Sequence, residues 1–515
     1  MSRLTRTFSH VVSAKAGTQD LNWDDPFARF ASELEGHSRE ERLRGSSAFA
    51  GMTRKYCCAC LIGFTLFLAT ILPAAAAEIL VLSDIHFNPL ADKAIAEALA
   101  VAPAEEWPLI LDRGGERLSN YSEDTDWKLL RAAFEELQAQ KKPDSVFIAG
   151  DFLAHDFRKA FDSSVAAHDD AAYRRFVVKT MRFLALYLAN AFPRTPILPA
   201  LGNNDSDCGD YAIQPGGAYL ADTEAIVAGM IGPSLVAGAA SEDFARGWTA
   251  LGSYAVDDPA QPRIRVIGLN DNYFSPHYRN SCGGDGDGNP ARATIAWLGR
   301  ALAAAAAARR KVVLLYHIPP GTDAFATTRH DACPVTPVPL LAEPYAGELH
   351  ALLQRYQDTI IANIAGHLHT DAFRVLRSGD DAFGFVMIAP AISPIFGQNP
   401  AFRRFALSDD GAISEVNTYY LANLGDAVAG ATPRWRAEAS FEQTWTLARF
   451  NTASLETLYH RLGTSAAAQQ RWTRTYGVQG PASAAVTLQN FAVYRCSVGS
   501  DQSSDFARCL CGGGR

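Results

Sequence analysis

Five apolar runs in this chain each end in a residue able to hold a metal ion. Ser145-Val146-Phe147-Ile148-Ala149 leads into Gly150-Asp151. Glu78-Ile79-Leu80-Val81-Leu82-Ser83 leads into Asp84-Ile85-His86, and the run 196–201 leads into Gly202-Asn203-Asn204-Asp205. The run 312–316 ends at His317, and 359–365 ends at Gly366-His367-Leu368-His369. Short, partly β-branched apolar runs read as buried strands, and open α/β sheets gather their ligands at strand carboxyl ends. A single Asp or His after a strand is ordinarily a turn or structural residue. Five such endings in one chain point to a shared site, with carboxylate, imidazole and amide ligands that suit zinc, manganese or iron.

The segments between these runs read as helices. In 125–140, Leu129, Ala133 and Leu137 share one face and Pro143 stops the helix. Further helical spacing covers 171–192, 292–309 and 344–356, and further strands 263–269, 383–389 and 402–407. This βαβ alternation predicts an α/β fold with a largely parallel sheet flanked by helices. The Gly-, Asp- and Asn-rich stretches 206–240 and 270–291 read as loops on the site's side. Beyond residue 420 the pattern changes. Trp435, Phe441, Trp445, Phe450, Leu455, Tyr459 and Trp472 recur at helical intervals, and a cysteine-bearing tail begins at Gly480-Pro481.

Near the start, Arg54-Lys55 precede an apolar stretch from Leu61 to Leu72 and then Pro73-Ala74-Ala75-Ala76-Ala77. A positive region, a short apolar region and small residues make a secretory signal over 52–77, cleaved after Ala77. The stretch is short of the ~20 residues that a membrane span requires. Met52 is a natural start, so residues 1–51 read as a mis-annotated or disordered extension. Of nine cysteines, Cys57, Cys58 and Cys60 fall in the signal. Six remain: Cys208, Cys282, Cys333, Cys496, Cys509 and Cys511. An even number in an exported chain predicts disulfides, with pairing left open, in a periplasmic or secreted protein. The net charge of −8 leaves no basic footprint, so no nucleic-acid polymer is expected as a partner.

At the five strand ends the chain resembles the calcineurin-like metallophosphoesterase superfamily, whose pattern is DxH, GD, GNH(E/D), a lone His and GHxH. Three segments resemble its acid sphingomyelinase-like branch: Gly150-Asp151 through His155-Asp156, His317-Ile318-Pro319-Pro320-Gly321, and Pro390–Pro394 with Asn399-Pro400-Ala401-Phe402-Arg403. The resemblance implies a four-layer α-β-β-α sandwich over 78–420 and a helical, cysteine-containing C-terminal domain over 421–515. It implies two divalent metal ions, zinc first among zinc, manganese and iron. One ion would take Asp84, His86, Asp151 and His369; the other would take Asp151, Asn203, His317 and His367. A hydroxide bridging them would attack phosphorus in line.

The chain departs from the pattern at Asn204, where the family has histidine. An amide donates a hydrogen bond but cannot protonate an alkoxide, so a general acid must come from elsewhere or the leaving group must be good. The resemblance implies His155 as that acid, because the sphingomyelinase-like branch carries a histidine at this position beside the metals. The alternative role of His155 is to position a phosphate oxygen. His168, His277, His330, His350 and His460 read as surface histidines. The expected activity is exported phosphoric ester hydrolysis. Expected substrates are small phosphate esters: nucleotides, phosphodiesters or phospholipid head groups, the last requiring membrane contact. A phosphomonoesterase on the same site and a non-catalytic binding protein on this scaffold are the competing readings.

Overall fold

Every residue of the first strand, β1 (Ala77–Leu82), is buried except the partly exposed Glu78, as its apolar run requires. The computed structural model describes residues 76–512 apart from 116, 167–168, 233–237, 259–260, 281–289, 329–332, 334 and 482–485. The expected extension 1–51 and the signal up to residue 75, with Cys57, Cys58 and Cys60, lie outside the described residues, as do His168, Cys282 and His330. Ala77, the expected cleavage position, pairs with Leu407 as the first residue of β1.

The other strands are β2 (Ser145–Ile148), β3 (Ile197–Pro199), β4 (Tyr254–Asp257), β5 (Ile264–Gly268) and β6 (Lys311–Leu315). They continue with β7 (Ile360–Ala365), β8 (Ala372–Ser378), β9 (Asp381–Ile388), β10 (Ala401–Leu407), β11 (Ile413–Leu421) and β12 (Trp435–Ala437). They form two six-stranded sheets, ordered β12-β11-β10-β1-β2-β3 and β4-β5-β6-β7-β9-β8. A single hydrophobic core joins them, with Leu80 and Phe147 from the first sheet and Val313 and Ile364 from the second. Helices Trp127–Ala139, Asp170–Ala191, Ala218–Ile231, Ala239–Leu251, Pro290–Ala307 and Tyr345–Arg355 flank the strands.

The strand-and-helix alternation stands, but the sheets are mixed rather than largely parallel. The pairs β1–β2, β2–β3, β5–β6, β6–β7 and β7–β9 are parallel. The pairs β1–β10, β10–β11, β11–β12, β4–β5 and β8–β9 are antiparallel. Tight turns explain the hairpins: Gly379 (φ 63°) joins β8 to β9, and Gly411 (φ 85°) joins β10 to β11. Two other readings are corrected. The stretch 206–240 contains the helix Ala218–Ile231, whose Tyr219, Leu220, Thr223, Val227 and Met230 are buried at helical spacing. Trp435 opens a strand, not a helix.

The chain keeps contributing to the first sheet beyond residue 420 through β12, and residues Leu72–Arg515 form one compact unit. The helices Thr452–Thr464 and Phe491–Val498 follow. Buried arginines fasten this region to β8. Arg374 Nη1 donates to the Ser497 carbonyl, and Arg377 Nε donates to that of Gly499 at 2.9 Å. His350 is not a surface histidine: its Nδ1 lies 2.6 Å from Asp501 Oδ2, and that partner raises its pKa. Cys333 is bonded to Cys511 and Cys496 to Cys509, and Cys208 is disulfide-bonded as well. Among the described residues no helix is long and apolar enough to cross a membrane.

Candidate metal centre

The parallel strands deliver their carboxyl ends to one place. Asp84 and His86 follow β1, Asp151 follows β2, and Asn203 follows β3. His317 follows β6, while His367 and His369 follow β7. Backbone bonds tie the endings together: Asp84 N donates to Gly150 O at 3.0 Å, His86 N to Asp151 O at 3.0 Å, and Gly366 N to His317 O at 3.0 Å. Asp84, His86, Asp151, His367 and His369 all have positive φ, between 44° and 69°. Each such non-glycine residue is strained, and strain of this kind collects at functional sites. Close approach also fixes two glycines. A Cβ on Gly202 would overlap the Asp151 carboxylate, and one on Gly366 would overlap Ser83 Oγ.

Among the described residues three groups of ligating atoms result, Asp84 with His86 and His369, Asp84 with Asp151 and His317, and His86 with Asp124 and His155, each within 4.8 Å. In the first, His86 Nε2 lies 3.1 Å from His369 Nε2, which lies 3.2 Å from Asp84 Oδ1. In the second, His317 Nε2 lies 2.9 Å from Asn203 Oδ1 and 3.2 Å from Asp151 Oδ2. Asp151 Oδ2 is also 3.4 Å from His86 Nε2, so its carboxylate, like that of Asp84, faces residues of both these groups. His367 sits at the edge. Its amide donates to Asp84 Oδ1 at 3.1 Å, its ring centroid is 5.1 Å from that of His317, and its Nε2 is 3.3 Å from Tyr211 Oη.

The donor set fits cations. His86 Nδ1 is 3.0 Å from the Leu153 carbonyl and His317 Nδ1 is 2.7 Å from that of Ala149. With Nδ1–H given to each carbonyl, both Nε2 lone pairs face inward. Asn203 Nδ2 donates to Asp210 Oδ1 at 2.7 Å, which turns its amide oxygen inward too. Acceptors therefore converge on acceptors, an arrangement satisfied by a cation or by protonating the imidazoles. Burial opposes charge on His86 and His317, yet Asp151 raises them to about 9 and about 10. Burial would raise the Asp151 carboxyl, but His317 and His86 hold it well below the carboxylate range. A bound cation would take the place of those protons, because imidazole and carboxylate ligands bind metal in their deprotonated forms.

His155 lies beside the cluster. Its ring stacks on that of His86 at 4.1 Å, and its side chain is 31% exposed. Asn204 is buried, donating from N to Asp151 Oδ1 at 2.8 Å and from Nδ2 to Oδ2 at 3.0 Å. Asp205 accepts from the amides of Phe152 and Gly202, each at 2.8 Å, locking two strand-end loops together. His277 and His460 are exposed as expected.

Sequence reasoning missed the residues that hold the ligands. Asp124 Oδ1 lies 3.0 Å from His155 Nδ1 while Oδ2 accepts its amide at 2.8 Å. Burial would raise Asp124, but the bond to His155 lowers it. Asp271 accepts from the amides of His317 and Ile318, and Gln398 Nε2 is 3.3 Å from His369 Nδ1. Asp271 was findable, because it follows β5 just as the ligands follow their strands.

The sequence pattern of the calcineurin-like phosphoesterase family matches residues 77–371, a span that holds all seven residues expected as ligands. The chain is similar to sphingomyelin phosphodiesterase B of Dictyostelium discoideum, 24% identical over 416 residues, 75% of this chain and 57% of that protein. It is similar to the cyclic GMP-AMP phosphodiesterase SMPDL3A of Mus musculus, 26% identical over 345 residues, 65% of this chain and 72% of that one. Acid sphingomyelinase-like phosphodiesterase 3b of Homo sapiens is 23% identical over 411 residues, 76% of this chain and 81% of the relative. The chain thus spans little more than half the length of the first of these.

Proposed function

For this chain, which belongs to the calcineurin-like phosphoesterase family and is a metal-dependent phosphoric ester hydrolase, we propose that it is an exported phosphodiesterase of the acid sphingomyelinase-like kind. The observation that carries this reading is the Asp151 carboxylate set between two strand-end imidazoles, 3.4 Å from His86 Nε2 and 3.2 Å from His317 Nε2. Similarity to relatives named as sphingomyelin and cyclic GMP-AMP phosphodiesterases supports a diester substrate. Disulfides at Cys333–Cys511 and Cys496–Cys509 support export, with the signal at 52–77 and the mature chain starting at Glu78.

Two divalent ions, zinc by preference, would be held by Asp84, His86, Asp151 and His369 and by Asp151, Asn203, His317 and His367. When bound they supply neutralisation of phosphoryl charge and activation of water near neutral pH. The chain's own groups do the rest. Asn203, turned inward by Asp210, and His317, held by Ala149 and Asp271, keep their ligand atoms in place. Asn204 donates to Asp151 and so fixes the orientation of the shared carboxylate. His155 gives its proton to the leaving oxygen, while Asp124 at Nδ1 keeps the ring oriented. A cleft of about 750 Å³ begins at His155 and Asn204 and is lined by Asp156, Arg158, Lys159 and Asp210.

The test is hydrolysis by purified, metal-loaded protein of bis(p-nitrophenyl) phosphate, a dinucleotide, sphingomyelin and p-nitrophenyl phosphate. Diesters should be hydrolysed faster than the monoester, with activity lost on chelation and restored by zinc. A preference for the monoester would establish a phosphomonoesterase instead. Inactivity on every ester would leave a binding protein.

A further inference from the structure

Phe396 is 61% exposed at the mouth of the metal centre. Single exposed apolar side chains are ordinary on protein surfaces, and Val101, Leu109, Phe325 and Leu488 are others here. Phe396 differs in what it touches and in how it is held. Its ring centroid lies 4.6 Å from that of His369 and 5.8 Å from that of His155, with the planes at 64° and 77°. Neither imidazole stacks face to face on it, and most of the ring is exposed next to His155, which lines the cleft.

Its backbone is fixed. Gly397 (φ 88°) closes a turn by donating to Pro394 O at 3.0 Å, and Ser122 N donates to the same carbonyl at 3.2 Å. On one side Ser393 N donates to Asp84 O at 3.0 Å. On the other, the buried Asn399 accepts from Tyr121 Oη at 2.7 Å and donates to Val478 O at 2.9 Å. A pinned turn thus presents an aromatic ring to solvent directly over two site imidazoles.

We propose that Phe396 is a specificity-determining residue whose open face stacks on a flat, polar-edged ring carried by the substrate's phosphate, the nucleobase class. Aromatic faces stack on flat rings. The adjoining cleft sets the charged Asp156, Arg158, Lys159 and Asp210 beside the apolar Phe157 and Tyr173, a mixture that suits the flat face and polar edge of such a ring. The inference rests on the phosphodiesterase reading and deepens it.

The experiment compares binding of AMP and of ribose 5-phosphate to the metal-loaded protein by calorimetry, alongside hydrolysis of bis(p-nitrophenyl) phosphate. The wild type should prefer AMP by roughly 10-fold or more, as base stacking on an aromatic side chain provides. Phe396→Ala should bring the two affinities within about two-fold of each other by loss of that stacking, and Phe396→Trp should keep the preference. An AMP preference unchanged in Phe396→Ala, or absent from the wild type, overturns the role of Phe396 while hydrolysis still stands. Loss of hydrolysis in the wild type itself would instead overturn the reading on which it rests.

Discussion

Asp151→Ala should cost roughly 10³-fold or more in kcat/KM, because neutralisation of phosphoryl charge by bound metal is worth several kcal/mol. In the proposed ligand sets Asp151 serves both ions. Its Oδ2 lies 3.4 Å from His86 Nε2 and 3.2 Å from His317 Nε2, and both Asn204 donors point at it. The isosteric Asp151→Asn should be nearly as inactive, since it keeps the shape and removes the charge. Its fold should survive. Asparagine tolerates the left-handed backbone at φ 54° better than most residues. In the metal-free protein, however, the substitution leaves the His86 and His317 imidazoles without the carboxylate that pairs with them, so the metal-free Asn variant should melt below the metal-free wild type. Turnover near normal in either variant would remove Asp151 from the bridging role.

His155→Ala should slow esters with poor alkoxide leaving groups by about 10²–10⁴-fold, the range of general acid catalysis. Esters of p-nitrophenol, whose leaving group hardly needs a proton, should be far less affected. The family's usual histidine is Asn204 here, and Asn204 is committed to Asp151, so His155 is the imidazole left beside the cleft. Asp124→Asn should follow the same pattern with a smaller loss, because Asp124 orients the ring without touching substrate. Asn204→His in the His155→Ala background should return part of the loss on poor leaving groups. An equal loss on good and poor leaving groups would make His155 a group that positions the phosphate.

The centre was legible in the sequence because each of its parts is local. A buried strand, a glycine and a ligand lie next to one another in the chain at three of the five loops: Gly150-Asp151, Gly202-Asn203 and Gly366-His367. The supports were not legible because they are distant. Asp124 reaches His155 across 31 residues, and Gln398 reaches His369 across 29. No period in the sequence encodes such pairs. The hairpins β8–β9 and β10–β11 made mixed sheets of what the βαβ alternation suggested was parallel, although Gly379 and Gly411 marked their turns. The helix Ala218–Ile231 was hidden by Gly216-Gly217 before it and Gly232 after it, where glycine counts outweighed the buried spacing within. His350 could not be told from a surface histidine, since Asp501 lies 151 residues away.

Elemental analysis of the purified protein tests the metal centre most directly. The wild type should carry about two transition-metal ions per chain, zinc foremost, as two ligand sets sharing one carboxylate require. Asp151→Ala should carry few or none. Active wild-type protein without bound metal would contradict the account.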